Sequence, residues 1–210
     1  MGGPARYYAR AATDAAIADC LRWAAARGVP VHILGGGSNT VFTDDGYPGL
    51  VVHLATSGVA VVPAGGSARV TAAAGEAWAA LVDSCVERGL GGIECLAGIP
   101  GQVGATPIQN VGAYGQEVGD ALERVRVLDR ANLAVSELAA ADCGLGYRSS
   151  RFKGPDRDRY VVLSVTLRLA AGARPALRYP ELVDLVRASV DLASLPAGAP
   201  ALPAPPTGRC

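Results

Sequence analysis

Apolar positions along the chain follow two periods. Between residues 14 and 27, Ala16, Ile17, Cys20, Leu21 and Ala24 share one face at helical spacing, with Thr13 as cap and Gly28 as stop. A second helix is expected over about 76–88, with Trp78, Leu81, Val82 and Cys85 on its buried side and Gly89 ending it. Short apolar runs at Val31–Leu34 and 50–54, the latter after the turn DDGYPG, read as strands. Residues 68–73 alternate weakly, and Arg124–Asp129 sets Val125 and Val127 on one face. The cleanest strand has Val161, Leu163, Val165, Leu167 and Leu169 pointing one way, alternating with Val162, Ser164, Thr166 and Arg168. Ser136 is expected to cap a short helix reaching Cys143, and 177–190 can hold another. Strands and helices mix without a regular βαβ repeat, which predicts an α+β fold rather than a doubly wound sheet.

Composition narrows the classes. The chain has 210 residues, half of them hydrophobic, enough for one globular unit or two small ones. Nineteen basic residues balance nineteen acidic ones, so no electrostatic footprint for nucleic acid is present. No apolar run approaches the ~20 residues of a membrane helix. MGGPARYYAR has no apolar core of a signal peptide, and Arg6 stands where a myristoylation site wants Ser or Thr. Five scattered cysteines without a CxxC read as reduced thiols of a cytosolic protein, mostly core filler. His32 and His53 stand on apolar runs and are expected as strand residues, not metal ligands; no metal site is expected. From Pro196 the chain reads PAGAPALPAPPTGRC, eleven of fifteen residues being Pro, Ala or Gly, and disorder is expected there.

Three stretches carry candidate chemistry. In VHILGGGSN, three glycines follow an apolar run, but the spacing is not GxGxxG and no helix follows. Thr40, Val41 and Phe42 lead into a second extended segment. Consecutive glycine N–H groups can form a concave nest for phosphate oxygens, with Ser38 and Asn39 adding donors. A tight hairpin turn explains the string equally well. The second stretch, ECLAGIPGQVGATPIQNVGAYGQEVGD, is Gly-rich yet carries Ile99, Val103, Ile108, Val111 and Tyr114, too apolar for a solvated linker. It suits a backbone wrapped round a flat apolar ligand with polar edges. Thr106 before Pro107 reads as an N-cap and first-turn pair that would aim a helix terminus at an anion. The third stretch, CGLGYRSSRFKG, sets Arg148 between Tyr147 and Ser149, either as a positioned cation or as part of a solvated basic turn.

Taken together, GGPARY, ILGGGSNTVFTDDGYPGLVV, GLGGIECLAGIPGQVGATPIQNVGAYGQE and GYRSSRFK, in this order and spacing, resemble the UDP-N-acetylenolpyruvoylglucosamine reductase family over roughly residues 2–185. The resemblance implies an α+β, two-subdomain FAD-binding fold of the vanillyl-alcohol-oxidase or PCMH type. It implies a first subdomain at 1–56, a second at 57–170 and the remnant of a substrate-domain entrance at 171–190, leaving 191–210 as the tail whose composition predicts disorder. Gly35, Gly36, Gly37, Ser38 and Asn39 would cradle the FAD pyrophosphate. Ile99, Pro100 and Gly101, with Gly104, Ala105, Thr106, Gln109 and Asn110, would line the flavin and its phosphates, with Gly112 and Tyr114 nearby. In the family NADPH reduces the flavin, which passes hydride to the enolpyruvyl double bond of a UDP-sugar during peptidoglycan synthesis in the cytoplasm. An arginine there stabilises the developing negative charge; it matches Arg148, with Tyr147 packing beside it in the substrate site. A monomer is implied.

The resemblance stops short of the family's proton-donating serine and its glutamate, which belong to a third domain. The Gly-Ser-Phe-Phe-like string that carries the serine is not found, and neither Ser189, Ser194 nor Glu181 stands in a matching context. Family members also carry a Thr-Thr-Leu strand before the GGPA string, where this chain has only Met1. The expectation is a chain clipped at both ends, its tail a frameshift or premature stop, and impaired in activity. The alternatives are a non-catalytic FAD-binding remnant and another flavin oxidoreductase of the same fold. A covalent flavin would favour the last, and Cys95 is the only thiol near the Gly-rich loops.

Overall fold

The structure, a computed structural model, describes residues 2–172, 179–181 and 183–184. The first unit is β1 (Ala5–Ala11), α1 (Asp14–Ala25), β2 (Val31–Leu34) and β3 (Tyr47–Leu54). α1 starts where the sequence says it should. Thr13 is extended, and its hydroxyl accepts the N–H of Ala16 at 3.1 Å, satisfying one of the first-turn donors. Ile17, Ala18, Leu21 and Ala24 are buried along one stripe. The three strands form a sheet of order β1-β3-β2 in which β3 runs parallel to both neighbours. Ala11 pairs with Leu54, and Leu34 with His53, so all three strands end at the same edge.

The second unit continues with β4 (Val59–Pro63), β5 (Ser67–Ala73), α2 (Trp78–Glu87) and β6 (Leu90–Gly91). Two 3₁₀ turns, Glu94–Leu96 and Val103–Ala105, then lead into α3 (Thr106–Gln109). β7 (Gly112–Ala113) and β8 (Gln116–Glu117) form a small ribbon before α4 (Val118–Ala121). β9 (Leu122–Asp129), β10 (Val135–Ala139) and β11 (Tyr160–Ala171) complete it. The main sheet has the order β10-β9-β11-β5-β4, with β6 also on β11, and every pair is antiparallel. β11 is its axis, pairing with β5, β6 and β9. That central place explains why its pattern is more buried than simple alternation predicts. Val162 and Thr166 are buried with the expected inner set, and Thr166 shares a hydroxyl hydrogen bond of 3.0 Å with Thr71 on the facing strand. α2 covers this core with Trp78, Leu81, Val82 and Cys85, and the Trp78 indole N–H donates to Leu96 O at 3.1 Å.

Several sequence expectations need correction. Ser136 caps no helix: it lies in β10, paired with Val127 of β9, and only the 3₁₀ turn Ala140–Cys143 follows. The Asp129 carboxylate accepts the N–H of Ala131 and so closes the turn that returns the chain alongside β9; strand pairing then overrides local helix preference. Thr40, Val41 and Phe42 are not in a strand, and β3 begins only at Tyr47. A turn at 43–46 holds them, with Gly46 at φ 78° so close to Pro4 that a Cβ would meet its carbonyl at 2.0 Å. β1 and β4 were not anticipated. In β1 the signal is present as alternation, with Arg6, Tyr8 and Arg10 exposed and the residues between them inward. Cys85 and Cys143 are buried as core filler, and burial pushes the Cys143 thiol up to about 11. The expected helix over 177–190, apart from 179–181 and 183–184, and the tail from Pro196 lie outside the described residues.

Replacing Trp78 with Phe should keep the fold but strand the Leu96 carbonyl in the core. The expected cost is roughly 1–3 kcal/mol, read as a lower denaturation midpoint with an unchanged slope.

Candidate cofactor site

A cleft of about 720 Å³ opens where β2 and β3 end, facing the Gly-rich segment and β11. Its volume lies within the range of small-molecule pockets, ~300–1,000 Å³. Parallel pairing decides one open question at once. A hairpin joins antiparallel strands, whereas β2 and β3 are parallel, so 35–46 must be a crossover returning the chain to the sheet's other end. Gly35, Ser38, Asn39 and Thr40 line the cleft. The backbone N–H groups of Gly36, Gly37, Ser38 and Asn39 make no hydrogen bond among the described residues. Ser38 Oγ instead donates to Pro100 O at 3.3 Å, tying this loop to the second one.

The two loops touch through glycines. A Cβ on Gly36 would lie 3.3 Å from Gly101 Cα, and one on Gly101, at φ 120°, would lie 3.0 Å from Ser38 Oγ. Ile99, Pro100, Gly101, Gly104, Ala105 and Gln109 join them in lining the cleft, with Ile108 and Val111. Gly104 has a packing reason as well: a Cβ there would come within 2.6 Å of Ala74 Cβ. The apolar signal of the stretch is partly core, since Val103 is fully buried.

Two residues expected at the ligand are held by the protein itself. Thr106 is no cap; it is the first residue of α3, buried, and its hydroxyl donates to Val103 O at 2.8 Å. With only four residues, α3 is too short to aim a useful dipole at an anion. Asn110 is buried at φ 44°, and its amide is satisfied at both ends: Nδ2 donates to Glu117 and to Gly146 O, and Oδ1 accepts from Gly119 N.

Those bonds carry the third stretch. Asn110 reaches Gly146 O, and Ser150 Oγ donates to Ile108 O at 2.7 Å, so the turn Gly146–Ser149 is pinned to α3 from both sides. Gly146 and Ser149 exchange backbone hydrogen bonds of 3.0 Å, leaving Tyr147 and Arg148 at the tip. Arg148 takes φ 51°, a conformation uncommon for a non-glycine residue and frequent at functional sites. Its guanidinium donates to Gly112 O at 2.8 Å and sits 6.0 Å from the centre of the Tyr147 ring. Arg148, Ile99 and Pro100 also line a second cleft of about 970 Å³, together with Gly112, Tyr114 and the largely exposed Tyr147. Tyr179 lines this second cleft too, edge-on to Tyr114.

Sequence reasoning missed part of the first cleft's lining. It includes His32, Gln102, Arg130, Lys153, Asp156 and Arg157. His32 Nε2 and Gln102 Oε1 are buried without a partner among the described residues. Burial holds the His32 imidazole below its usual value; Arg130 pushes the same way and Asp158 opposes. Asp156 and Asp129 form a chain of ion pairs with Arg151 and Arg159. The Arg151 guanidinium, and then Arg159, hold the Asp156 carboxyl below the usual carboxylate range, while Asp129 is held low by the Ala131 N–H and then Arg159. His32 and Val161–Val162 stand on expected strands, and Gln102 and Lys153 lie within the Gly-rich and GYRSSRFK strings, whereas Arg130, Asp156 and Arg157 carry no sequence signal.

Comparison with known proteins identifies the fold's class. The chain belongs to the FAD binding domain family, whose model matches residues 5–135, more than half of its length. Among curated proteins it is 49% identical over 188 residues to UDP-N-acetylenolpyruvoylglucosamine reductase of Cutibacterium acnes, covering 87% of this chain and 49% of that one. It is equally 49% identical over 184 residues to the protein of the same name from Ralstonia nicotianae, covering 85% of this chain and 53% of that one. The chain thus spans about half the length of the curated relatives it matches. Among solved structures, UDP-N-acetylenolpyruvylglucosamine reductase from Thermus caldophilus superposes at TM-score 0.64 with 30% identity, over 92% of this chain and 64% of that one. The 6-hydroxy-D-nicotine oxidase of Arthrobacter nicotinovorans, at TM-score 0.59 and 20% identity over 81% of this chain and 38% of that one, shares the fold alone. The α+β architecture and the family resemblance read from the sequence are borne out.

The residues present fit FAD. Two glycine backbones face each other where a Cβ would intrude, unbonded loop amides stand at the sheet's carboxyl edge, and an apolar wall continues from them. Open α/β sheets bind nucleotides outside the carboxyl ends of their strands for the same reason: converging backbone donors with no side chain in the way.

Gly104→Ala should destabilise the protein by roughly 1–3 kcal/mol through overpacking against Ala74, seen as a lower thermal midpoint. Asp156→Asn should be less stable than the wild type at pH 7. A carboxylate held low contributes stability above about pH 4, lost as pH falls through its depressed value. The gap between the two proteins should therefore close in denaturation curves taken progressively below pH 4.

Proposed function

We propose that this chain is the FAD-binding portion of an NADPH-dependent UDP-N-acetylenolpyruvoylglucosamine reductase acting in cytoplasmic peptidoglycan precursor synthesis. Residues 1–56 and 57–170 are its two cofactor subdomains. The observation that carries the reading is Arg148, a strained cation at the junction of two clefts, in a chain 49% identical to reductases of that name.

In this reading the amides of Gly36–Asn39 face the pyrophosphate, and Ile99 and Pro100, which line both clefts, lie beside the flavin. FAD, when bound, supplies a two-electron carrier between NADPH and the substrate. The UDP-sugar enters from the second cleft. Reduction of its enolpyruvyl ether adds hydride to one carbon and a proton to the next. Negative charge develops meanwhile on the carbon conjugated to the carboxylate. Arg148 is permanently charged and already oriented by Gly112 O and the Gly146–Ser149 turn, so it meets that charge without reorganisation. Tyr147 forms the rim beside it. No described residue is assigned the proton donor. The covalent-flavin alternative gains no support from Cys95, which lines neither cleft.

The test is visible spectroscopy of the purified chain with FAD, then with NADPH under anaerobic conditions. A shifted, bound-flavin spectrum that bleaches with NADPH is expected. Arg148→Met should keep both signals and slow substrate-driven reoxidation by roughly 10²-fold or more. Folded, soluble protein that binds no flavin overturns the reading.

A further inference from the structure

We propose that Gln102 Oε1 accepts a hydrogen bond from an alcohol hydroxyl of the cofactor's sugar chains, beside the pyrophosphate. The inference rests on the FAD reading above and names a contact that reading does not contain.

The argument starts from the two different ends of an amide. Gln102 Nε2 donates to Leu54 O, at the end of β3, at 3.2 Å. Reversing the amide would set two oxygens against each other, so its orientation is fixed and Oε1 must be the outward atom. That oxygen is buried and has no partner among the described residues. It is turned toward the glycine loop, since a Cβ on Gly35 would lie 3.2 Å from it. Its backbone is clamped as well. Gly101 O accepts from Trp78 N at 3.0 Å, Val103 N donates to Glu76 O at 2.9 Å, and Ala77 bridges to Gln102. The acceptor is therefore preset at the start of the loop that faces the pyrophosphate.

Buried side-chain amides elsewhere among the described residues are not left this way. Asn110 uses both its ends, and Gln116 accepts from Cys95 N while donating to Glu94. An unpaired buried acceptor is expensive unless something donates to it. The pyrophosphate does not, because it carries no proton at neutral pH and a carbonyl oxygen repels it. The flavin and adenine N–H groups stand at the far ends of the cofactor. The groups attached directly to the pyrophosphate are the ribityl chain on one side and the ribose on the other, and both carry hydroxyls.

The test measures dissociation constants by flavin fluorescence for the full chain and for Gln102→Met. The ligands are FAD, FAD analogues lacking single ribityl hydroxyls, and analogues lacking a ribose hydroxyl of the adenosine. The wild type should bind one analogue roughly 3- to 10-fold more weakly than FAD, the worth of one neutral hydrogen bond. Gln102→Met should bind FAD more weakly by a similar factor and no longer distinguish that analogue. Whether the discriminated analogue is of the ribityl or the ribose type identifies the source of the hydroxyl. Met also removes the bond to Leu54, so Gly35→Ala serves as a second variant. It leaves Leu54 anchored, sets a methyl 3.2 Å from Oε1, and should abolish the same discrimination. Equal discrimination in the wild type and both variants, or none in the wild type, overturns the inference while FAD binding stands. A folded wild type that binds no FAD overturns the cofactor reading itself.

Discussion

The contact between the backbone at Gly101–Gly104 and the segment that joins β5 to α2 is what the rest of the site depends on. Three hydrogen bonds run along it, from Trp78 N to Gly101 O, Val103 N to Glu76 O and Gly104 N to Ala74 O, all between 2.9 and 3.0 Å. Ala74 in turn donates to Leu163 O of the central strand. The Gly-rich stretch is thus laid on the main sheet as an extra, irregular strand. Its other side, at Pro100 and Gln102, meets the carboxyl edge of the parallel sheet through Ser38 and Leu54. One strip of backbone joins the two sheets and forms the floor of the cleft between them. A side chain at Gly104 would push it off Ala74, and one at Gly101 would close it against Ser38.

This arrangement accounts for both glycine-rich strings by different physics. In the second, glycine permits close packing of backbone on backbone. In GGGSN the demand comes from topology. A parallel pair of strands needs a crossover, and most parallel sheets use a helix for it, as α1 does between β1 and β2. Between β2 and β3 the crossover is irregular, so its amides are not consumed by a helix and remain available at the strand ends. The loop's use of glycine and its donors have the same origin.

Much of this was legible in the sequence where a single element decides its own fate. α1 has its cap, its stripe and its stop all between Thr13 and Gly28, and β11 declares itself by alternation. What was not legible depended on partners far along the chain. Ser136 looks like a helix cap until β9 is available to pair with it. β4 is a short, wholly apolar run, VAVVP, mostly exposed on the sheet's edge, so it shows no alternation that would mark a buried face. The order of the motif strings pointed to the family, but not to Arg130, Asp156 or Arg157, which reach the cleft from segments with no motif of their own.

The site also separates residues that chemistry alone treats as equals. Thr106, Gln109 and Asn110 all stand in the same string, and each could face a ligand. The deciding quantity is what each polar atom already has. Asn110 spends every hydrogen-bonding group on Glu117, Gly119 and Gly146, and so holds the Arg148 turn in register with α3. Thr106 is closed on Val103. Gln102, which a sequence reader passes over as a spacer between two glycines, has one end anchored and the other open. A residue built into the scaffold has its hydrogen bonds completed by the scaffold. A residue built for a ligand is held firmly by one end while the other stays unfilled, because rigidity without completion is what lets a bound molecule gain from the contact without first paying to order it.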